Sequence, residues 1–218
     1  MSRRLGCRLA GLALGLLGTA AWAAGTPAGT AIPNTAVLRY TMNGTPQTVS
    51  ATSVPVIVAR VVSVTVTWQD GSPTPAASPD TLRPLAFIVT NTGNAADTFR
   101  LSRDNAVAGD QFDPIDSVPT AIWLENGARA GFQSAGAWAD PPYLPGANDV
   151  ALAPDASRVV YLSSSIPAGL ATGAVGKAML VARSTVVPCG AAPGAQVGLV
   201  AGVPIVVGPG GGRAAATG

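Results

Sequence analysis

In Pro84-Leu-Ala-Phe-Ile-Val-Thr-Asn-Thr-Gly-Asn-Ala-Ala-Asp-Thr-Phe-Arg-Leu101, two runs of strand character flank a cluster of turn residues, Asn91-Thr92-Gly93-Asn94. Before the cluster, Leu85, Phe87 and Val89 alternate with smaller or outward-pointing residues; after it, Phe99 and Leu101 alternate with Thr98 and Arg100. A period of two residues marks a strand with one buried face. Asn and Gly reach positive φ at little cost, so Asn91, Gly93 and Asn94 are expected to reverse the chain and close a β-hairpin.

The pattern continues on both sides. Ala36 to Met42 and Gln47 to Thr52 are β-rich runs separated by Asn43-Gly44, the strongest short-range hairpin signal. Val54 to Trp68 is dense in valine, and from Val62 onward Val64 and Val66 alternate with Ser63, Thr65 and Thr67, as in a half-buried strand. Gln69 to Pro84, with Asp70-Gly71 and several prolines, reads as a loop. Ala121 to Leu124, Arg158 to Leu162 and Val175 to Ser184 read as further strands, and Val203 to Val207 as a late strand or part of a tail. Helical periodicity is sustained nowhere after residue 25. Short strands punctuated by turn residues predict an all-β, immunoglobulin-like antiparallel β-sandwich. The expected organisation is a signal peptide at 1–23, a lead-in and β-hairpin at 24–60, the sandwich at 61–184 and a Gly/Ala/Pro-rich tail at 185–218.

The N-terminus reads as an export signal. Ser2-Arg3-Arg4 supplies a positive start, Leu9 to Leu17 an apolar core, and Ala21-Trp22-Ala23 a small-x-small cleavage site, with cleavage after Ala23 or Ala24. The apolar run is too short for a membrane anchor, so no transmembrane segment is expected after cleavage. The expected location is the periplasm, the cell surface or the medium. Of 13 basic residues, Arg3, Arg4 and Arg8 leave with the signal, so 10 remain against 11 acidic ones. A nearly neutral chain with Lys177 as its only lysine gives no support to nucleic-acid binding. After cleavage Cys189 is the one cysteine, a free thiol that cannot close an internal disulfide. The chain contains no histidine, which removes Ser-His-Asp and Cys-His catalysis and His metal sites. A Gly-x-Ser-x-Gly nucleophile motif is also missing.

Four passages together resemble one family. They are the Asn43-Gly44 hairpin within Thr35 to Thr52; Val64-Thr-Val-Thr-Trp68; Phe87 to Leu101 with its Asn-Thr-Gly-Asn turn; and Leu152-Ala-Pro-Asp155 running on to Ile166-Pro-Ala-Gly169. In this order they resemble the bacterial conserved-repeat domain, also called domain of unknown function 11, which implies an immunoglobulin-like sandwich on a secreted or surface protein. In similar proteins an oxygen-rich calcium loop follows the strand matching Ile122-Trp-Leu. Here that loop carries Glu125, Gly127, Arg129, Ala130 and Gln133, so Gly127 offers no ligand and Arg129 puts a cation where a ligand belongs. The resemblance therefore implies a degenerate calcium loop; no metal or other cofactor is expected.

Fold does not fix function, and the remaining residues are weighed one by one. Asp104, Asp110, Asp113 and Asp116 share a turn-rich segment and read as solvated turn residues. Trp123 lies in an apolar strand and reads as core, whereas Trp138 and Tyr143, among Ala, Asp and Pro, are the better candidates for surface binding, weighed against plain packing within the loop. Lys177 reads as an outward-facing strand lysine. The expectation is an exported, non-catalytic sandwich that serves the bacterial envelope or surface as a structural or adhesion-type module. Its partner would be an envelope protein or a glycan. The alternative is a carbohydrate-binding or accessory module of an extracellular polymer-processing system that uses Trp138 and Tyr143.

Overall fold

The computed structural model describes residues 25–186, 196–199 and 203–207. Its strands are β1 (Ala31–Ile32), β2 (Thr35–Met42), β3 (Thr45–Thr52), β4 (Val56–Ile57), β5 (Val64–Trp68), β6 (Thr74–Ala76), β7 (Asp80–Asn91), β8 (Asp97–Asp104), β9 (Ile115–Asp116), β10 (Ile122–Leu124), β11 (Val150–Leu152), β12 (Ser157–Ile166), β13 (Val175–Ser184), β14 (Gln196–Leu199) and β15 (Val203–Val207). One sheet runs β10-β12-β7-β5, with β9 also on β12; the other runs β11-β8-β13-β15-β6, with β14 also on β13. If β5, β7, β8, β10, β12, β13 and β15 are lettered A to G, the first sheet is D-E-B-A and the second contains C-F-G. That is the strand order of an immunoglobulin-like sandwich, so the fold is all-β and of the expected class.

Leu85, Phe87 and Val89 of β7 and Val160 and Leu162 of β12 fill one wall of the core. Phe99 and Leu101 of β8 and Ala178, Leu180 and Ala182 of β13 fill the other. The alternation in the sequence is therefore the alternation of the core. The expected hairpin, however, is not there. β7 pairs with β12 and β5, while β8 pairs with β13 and β11, so the chain leaves one sheet at Asn91 and enters the opposite one at Asp97. Period-2 patterning says which side chains face inward; it does not say whether two such strands lie side by side or face each other across the core.

Asn91 makes the crossing affordable. Its side chain is 1% exposed. Nδ2 donates to Ala95 O at 2.9 Å and to Leu152 O at 3.0 Å, and Oδ1 accepts from Gly93 N at 2.9 Å. Its backbone N–H donates to Ala156 O at 3.0 Å and its carbonyl accepts from Asp155 N at 2.8 Å. A buried amide is costly unless its hydrogen bonds are made, and here each side-chain group is used. Gly93 has a role other than the expected one. Its φ is not in the left-handed region; a Cβ there would lie 2.5 Å from Val61 O, so the position needs glycine for close approach.

Four other expectations shift. Val54 to Trp68 is not one strand but β4 and β5, joined by a segment that crosses to the sandwich. The loop expected at Gln69 to Pro84 contains β6 and the start of β7. Prolines sit there without breaking a ladder because β6 is an edge strand, and because β5 pairs only with Val89 and its neighbours, leaving one side of Pro84 open. Leu152 belongs to β11, which covers the edge of β8. The sandwich also extends past residue 184, because β14 and β15 pair with β13 and β15 runs parallel to β6. Cys189 lies outside the described residues, as does the segment read as a signal peptide.

Replacing Asn91 by Ala leaves Ala95 O, Leu152 O and Gly93 N without their partner. A buried group left unpaired costs on the order of 1–3 kcal/mol, so Asn91→Ala is expected to lower the unfolding free energy by about 3 kcal/mol in urea titration. A loss below about 0.5 kcal/mol would remove Asn91 from this role.

Candidate functional site

The feature that stands out from the sandwich is the ribbon formed by β1 to β4. Among the described residues β2 and β3 pair only with each other, in register from Thr35↔Thr52 to Met42↔Thr45, and the two-residue turn Asn43-Gly44 has φ of 50° and 78°. Both central residues are left-handed, as a type I′ hairpin turn requires, so this hairpin forms as the sequence predicts. β1 and β4 extend the ribbon toward the sandwich through Ala31↔Ile57 and Ile32↔Val56.

Asn94 ties the root of the ribbon to the crossing described above. Its Oδ1 accepts from Val61 N at 2.7 Å, and its Nδ2 donates to Ala59 O at 3.0 Å and Thr26 O at 3.2 Å. Its backbone carbonyl accepts from Ala28 N at 3.1 Å. Arg60 adds a bond from Nη2 to Ala96 O at 2.7 Å and lies 3.6 Å from Asp97. One asparagine of the turn thus spans the two sheets and the other holds the arm.

Residues directly opposite in a two-stranded ribbon share a face. One face carries Ala36 and Ala51, Leu38 and Val49, Tyr40 and Gln47, Met42 and Thr45; the other carries Thr35 and Thr52, Val37 and Ser50, Arg39 and Thr48, Thr41 and Pro46. The first face is apolar along most of its length and packs against nothing among the described residues: Leu38 is 62% exposed, Met42 57%, Val49 52% and Tyr40 42%. Ile32, Val54, Val56 and Ile57 at the root are exposed as well. The strands and the turn here are legible in the sequence; that this face meets no core among the described residues is not.

The pair expected at the surface divides. Trp138 is exposed at 53%, but Tyr143 is 3% exposed and belongs to the core. Its hydroxyl accepts from Leu101 N at 2.8 Å and donates to Asp149 Oδ1 at 2.6 Å, continuing the edge of β8 where β11 stops. Flanking prolines and acids suggested a surface loop; the hydroxyl's two bonds are what let the ring go inside. Burial and the carboxylate of Asp149 push the phenol of Tyr143 above its ordinary value. Burial alone would raise the carboxyl of Asp149, but hydrogen bonds from Gly146 N, Tyr143 and Arg100 outweigh it and hold it below its ordinary value.

The loop in the calcium-type position is held by hydrogen bonds. Asp140 is buried, and its carboxylate accepts from Asn126 N at 3.2 Å and Gln133 N at 2.9 Å. Glu125 accepts from Gly127 N at 2.8 Å and from the Tyr161 hydroxyl at 2.5 Å, while Arg129 is exposed. Phe132 packs edge-on against Trp123, with 5.5 Å between ring centres, and against Tyr161 at the same distance. Trp123 is buried as expected, though under this loop, and its Nε1 donates to Ser163 Oγ at 3.0 Å. Among the described residues no three His, Cys, Asp or Glu side chains converge on a point that could hold a metal ion.

The acidic segment is not gathered into a site. Asp104 accepts from Ala106 N at 3.0 Å, Asp110 from Lys177 N at 2.8 Å, and Asp116 lies 3.1 Å from Arg103 Nε. Arg103, which the sequence did not single out, is a clamp between sheets: Nη1 donates to Ser163 O at 2.8 Å and Nη2 to Ser164 Oγ at 3.2 Å. Burial lowers its pKa to about 10, against the pull of Asp116. The Nζ of Lys177 donates to Ala108 O at 3.3 Å and among the described residues pairs with no carboxylate, so Lys177 is half-buried and tethered, not simply outward-facing. A groove of about 550 Å³ on the second sheet is lined by Arg100, Pro145 and Arg183, with Arg100 already engaged by Asp149 at 3.1 Å. Compared with protein-family models, curated proteins and solved structures, the chain matches none.

Because the loop after β10 is tied by Asp140, excess EDTA is expected to leave the melting temperature unchanged. Asp140→Ala, which frees two backbone N–H groups, is expected to cost about 2–4 kcal/mol. A large EDTA-induced drop would show that a cation holds the loop.

A depressed Asp149 contributes stability that is present above its ordinary 3.8 and lost as pH falls through its folded pKa. A raised Tyr143 contributes stability that is present below its ordinary 10.0 and lost as pH rises beyond it, and Tyr161 behaves likewise. Tyr143→Phe is therefore expected to lower neutral-pH stability by about 1–3 kcal/mol and to shrink the alkaline loss without abolishing it. Urea titrations from neutral to strongly alkaline pH check both.

Proposed function

We propose that this chain is an exported, non-catalytic sandwich of the conserved-repeat kind, acting as an interaction or structural module at the bacterial envelope or surface. The single observation that supports this reading is the ribbon, whose apolar face of Leu38, Tyr40, Met42 and Val49 is held out on a rooted arm with nothing among the described residues packed on it. Apolar patches of this kind mark interaction surfaces in proteins that are otherwise well packed. The export reading rests on the N-terminal signal, and the non-catalytic reading on the absence of histidine and of a nucleophile motif.

A glycan-binding accessory role keeps one observation in its favour, the exposed indole of Trp138. With Tyr143 inside the core, a two-ring platform is not available to it.

The test is retention of the mature protein on envelope fractions of its own source. The full mature chain is expected to be retained, and the chain lacking residues 35–52 to lose at least ten-fold of that retention. Equal retention of both would sink the arm-based reading. Retention on a glycan array that Trp138→Ala abolishes would favour the second reading instead.

A further inference from the structure

We infer that the apolar face of the ribbon is the docking surface for a second copy of this chain, packed face to face about a two-fold axis. The inference rests on the interaction-module reading above and names the partner.

Charge is the first constraint. Within residues 35–52 the only charged side chain is Arg39, and it lies on the opposite face, between Val37 and Thr41. A partner recognised through charge finds nothing to pair with on the apolar face. An identical face brings no charge with it, so no charge is buried unpaired.

Shape is the second. The face is graded in size: Ala36 and Ala51 near the root, Leu38 and Val49 in the middle, Tyr40 and Met42 toward the tip. Two ribbons related by a two-fold axis across the Leu38–Val49 pair run antiparallel. Tyr40 of each copy then lies over Ala36 of the other, and Leu38 meets its counterpart. Tyr40 and Gln47 fall on alanines while the two branched side chains of the middle meet their counterparts, and stacked sheets of this kind lie about 10 Å apart. An isologous contact of this kind closes as a dimer and leaves no face to propagate.

Area is the third. The four large side chains of the face, 42–62% exposed, offer on the order of 400 Å². Antiparallel packing carries the tip of each copy toward the exposed pair Ile32 and Val56 at the root of the other, while Ile57, opposite Ala31, lies on the other face. With that pair included, the apolar surface reaches about 600 Å² per copy, about 1,200 Å² in all, the lower end of a stable interface. A two-stranded ribbon is at best marginally stable alone, and a second ribbon supplies the face it lacks.

The experiment is sedimentation of the mature protein across low to high micromolar concentration, with a reductant present so that Cys189 cannot cross-link copies. The expected result is a dimer that Leu38→Glu converts to monomer, weakening association at least 100-fold. Val37→Glu, on the opposite face and equally accessible, is expected to leave the dimer intact. Val49→Lys serves as a second interruption of the face, and an unchanged melting temperature verifies that each variant retains the sandwich. A wild-type monomer at the highest concentration overturns the proposal. So does a dimer indifferent to Leu38→Glu and Val49→Lys, or one lost equally with Val37→Glu. A monomer that still shows ribbon-dependent retention on the envelope overturns only the second copy as partner and points to an apolar surface of another protein. A monomer without such retention removes the interaction reading too.

Discussion

A single buried amide governs how the rest of this structure is arranged. The side chain of Asn91 sits where the chain leaves one sheet for the other, and its three hydrogen bonds link the crossing segment to Leu152 on the far side. Its backbone bonds to Asp155 and Ala156 fix the turn that feeds β12. Without those partners the crossing would place polar backbone in an apolar interior, which is costly in a low-dielectric setting. With them, β7 and β8 can present Phe87 and Phe99 to the same core from opposite walls.

From that crossing the molecule builds outward in two directions. On one side lie the sheets, closed at their margins by polar side chains used as struts: Tyr143 on Leu101, Arg103 on Ser163, Ser184 on Asp97. Among the described residues no buried side-chain polar atom lacks a hydrogen-bond partner, which is how a sandwich without a disulfide holds long loops in place. On the other side Asn94 grips the strands that lead into the ribbon. The same four-residue turn therefore sets both the core and the direction in which the arm leaves it.

The contrast between core and arm is the basis of the functional reading. A sandwich of this kind presents shape; what distinguishes one from another is what its loops and extensions offer. Here the loop after β10 is spent on internal order, through Asp140 and Phe132, and Tyr143 is spent on the edge of β8. The ribbon's apolar face is covered by none of the described residues.

Residue pattern alone determined the strand character of the long segments, though not of short ones such as β6, β9 and β11, together with the Asn43-Gly44 turn, the alternating core residues and the all-β class, because burial on a pleated strand imposes a period of two. It also determined the inward positions of Leu85, Phe87, Val89, Phe99 and Leu101. Tertiary structure decided what lies beside what. Whether β7 and β8 form a hairpin or an arch, whether Tyr143 faces water or Leu101, and whether the face of Leu38 and Tyr40 meets a core are questions of long-range pairing. The same alternation serves either answer, since period two is blind to which sheet covers the face. That ambiguity resolves at Asn91 and Asn94, whose side chains bond to carbonyls distant in sequence, Leu152 and Thr26 among them.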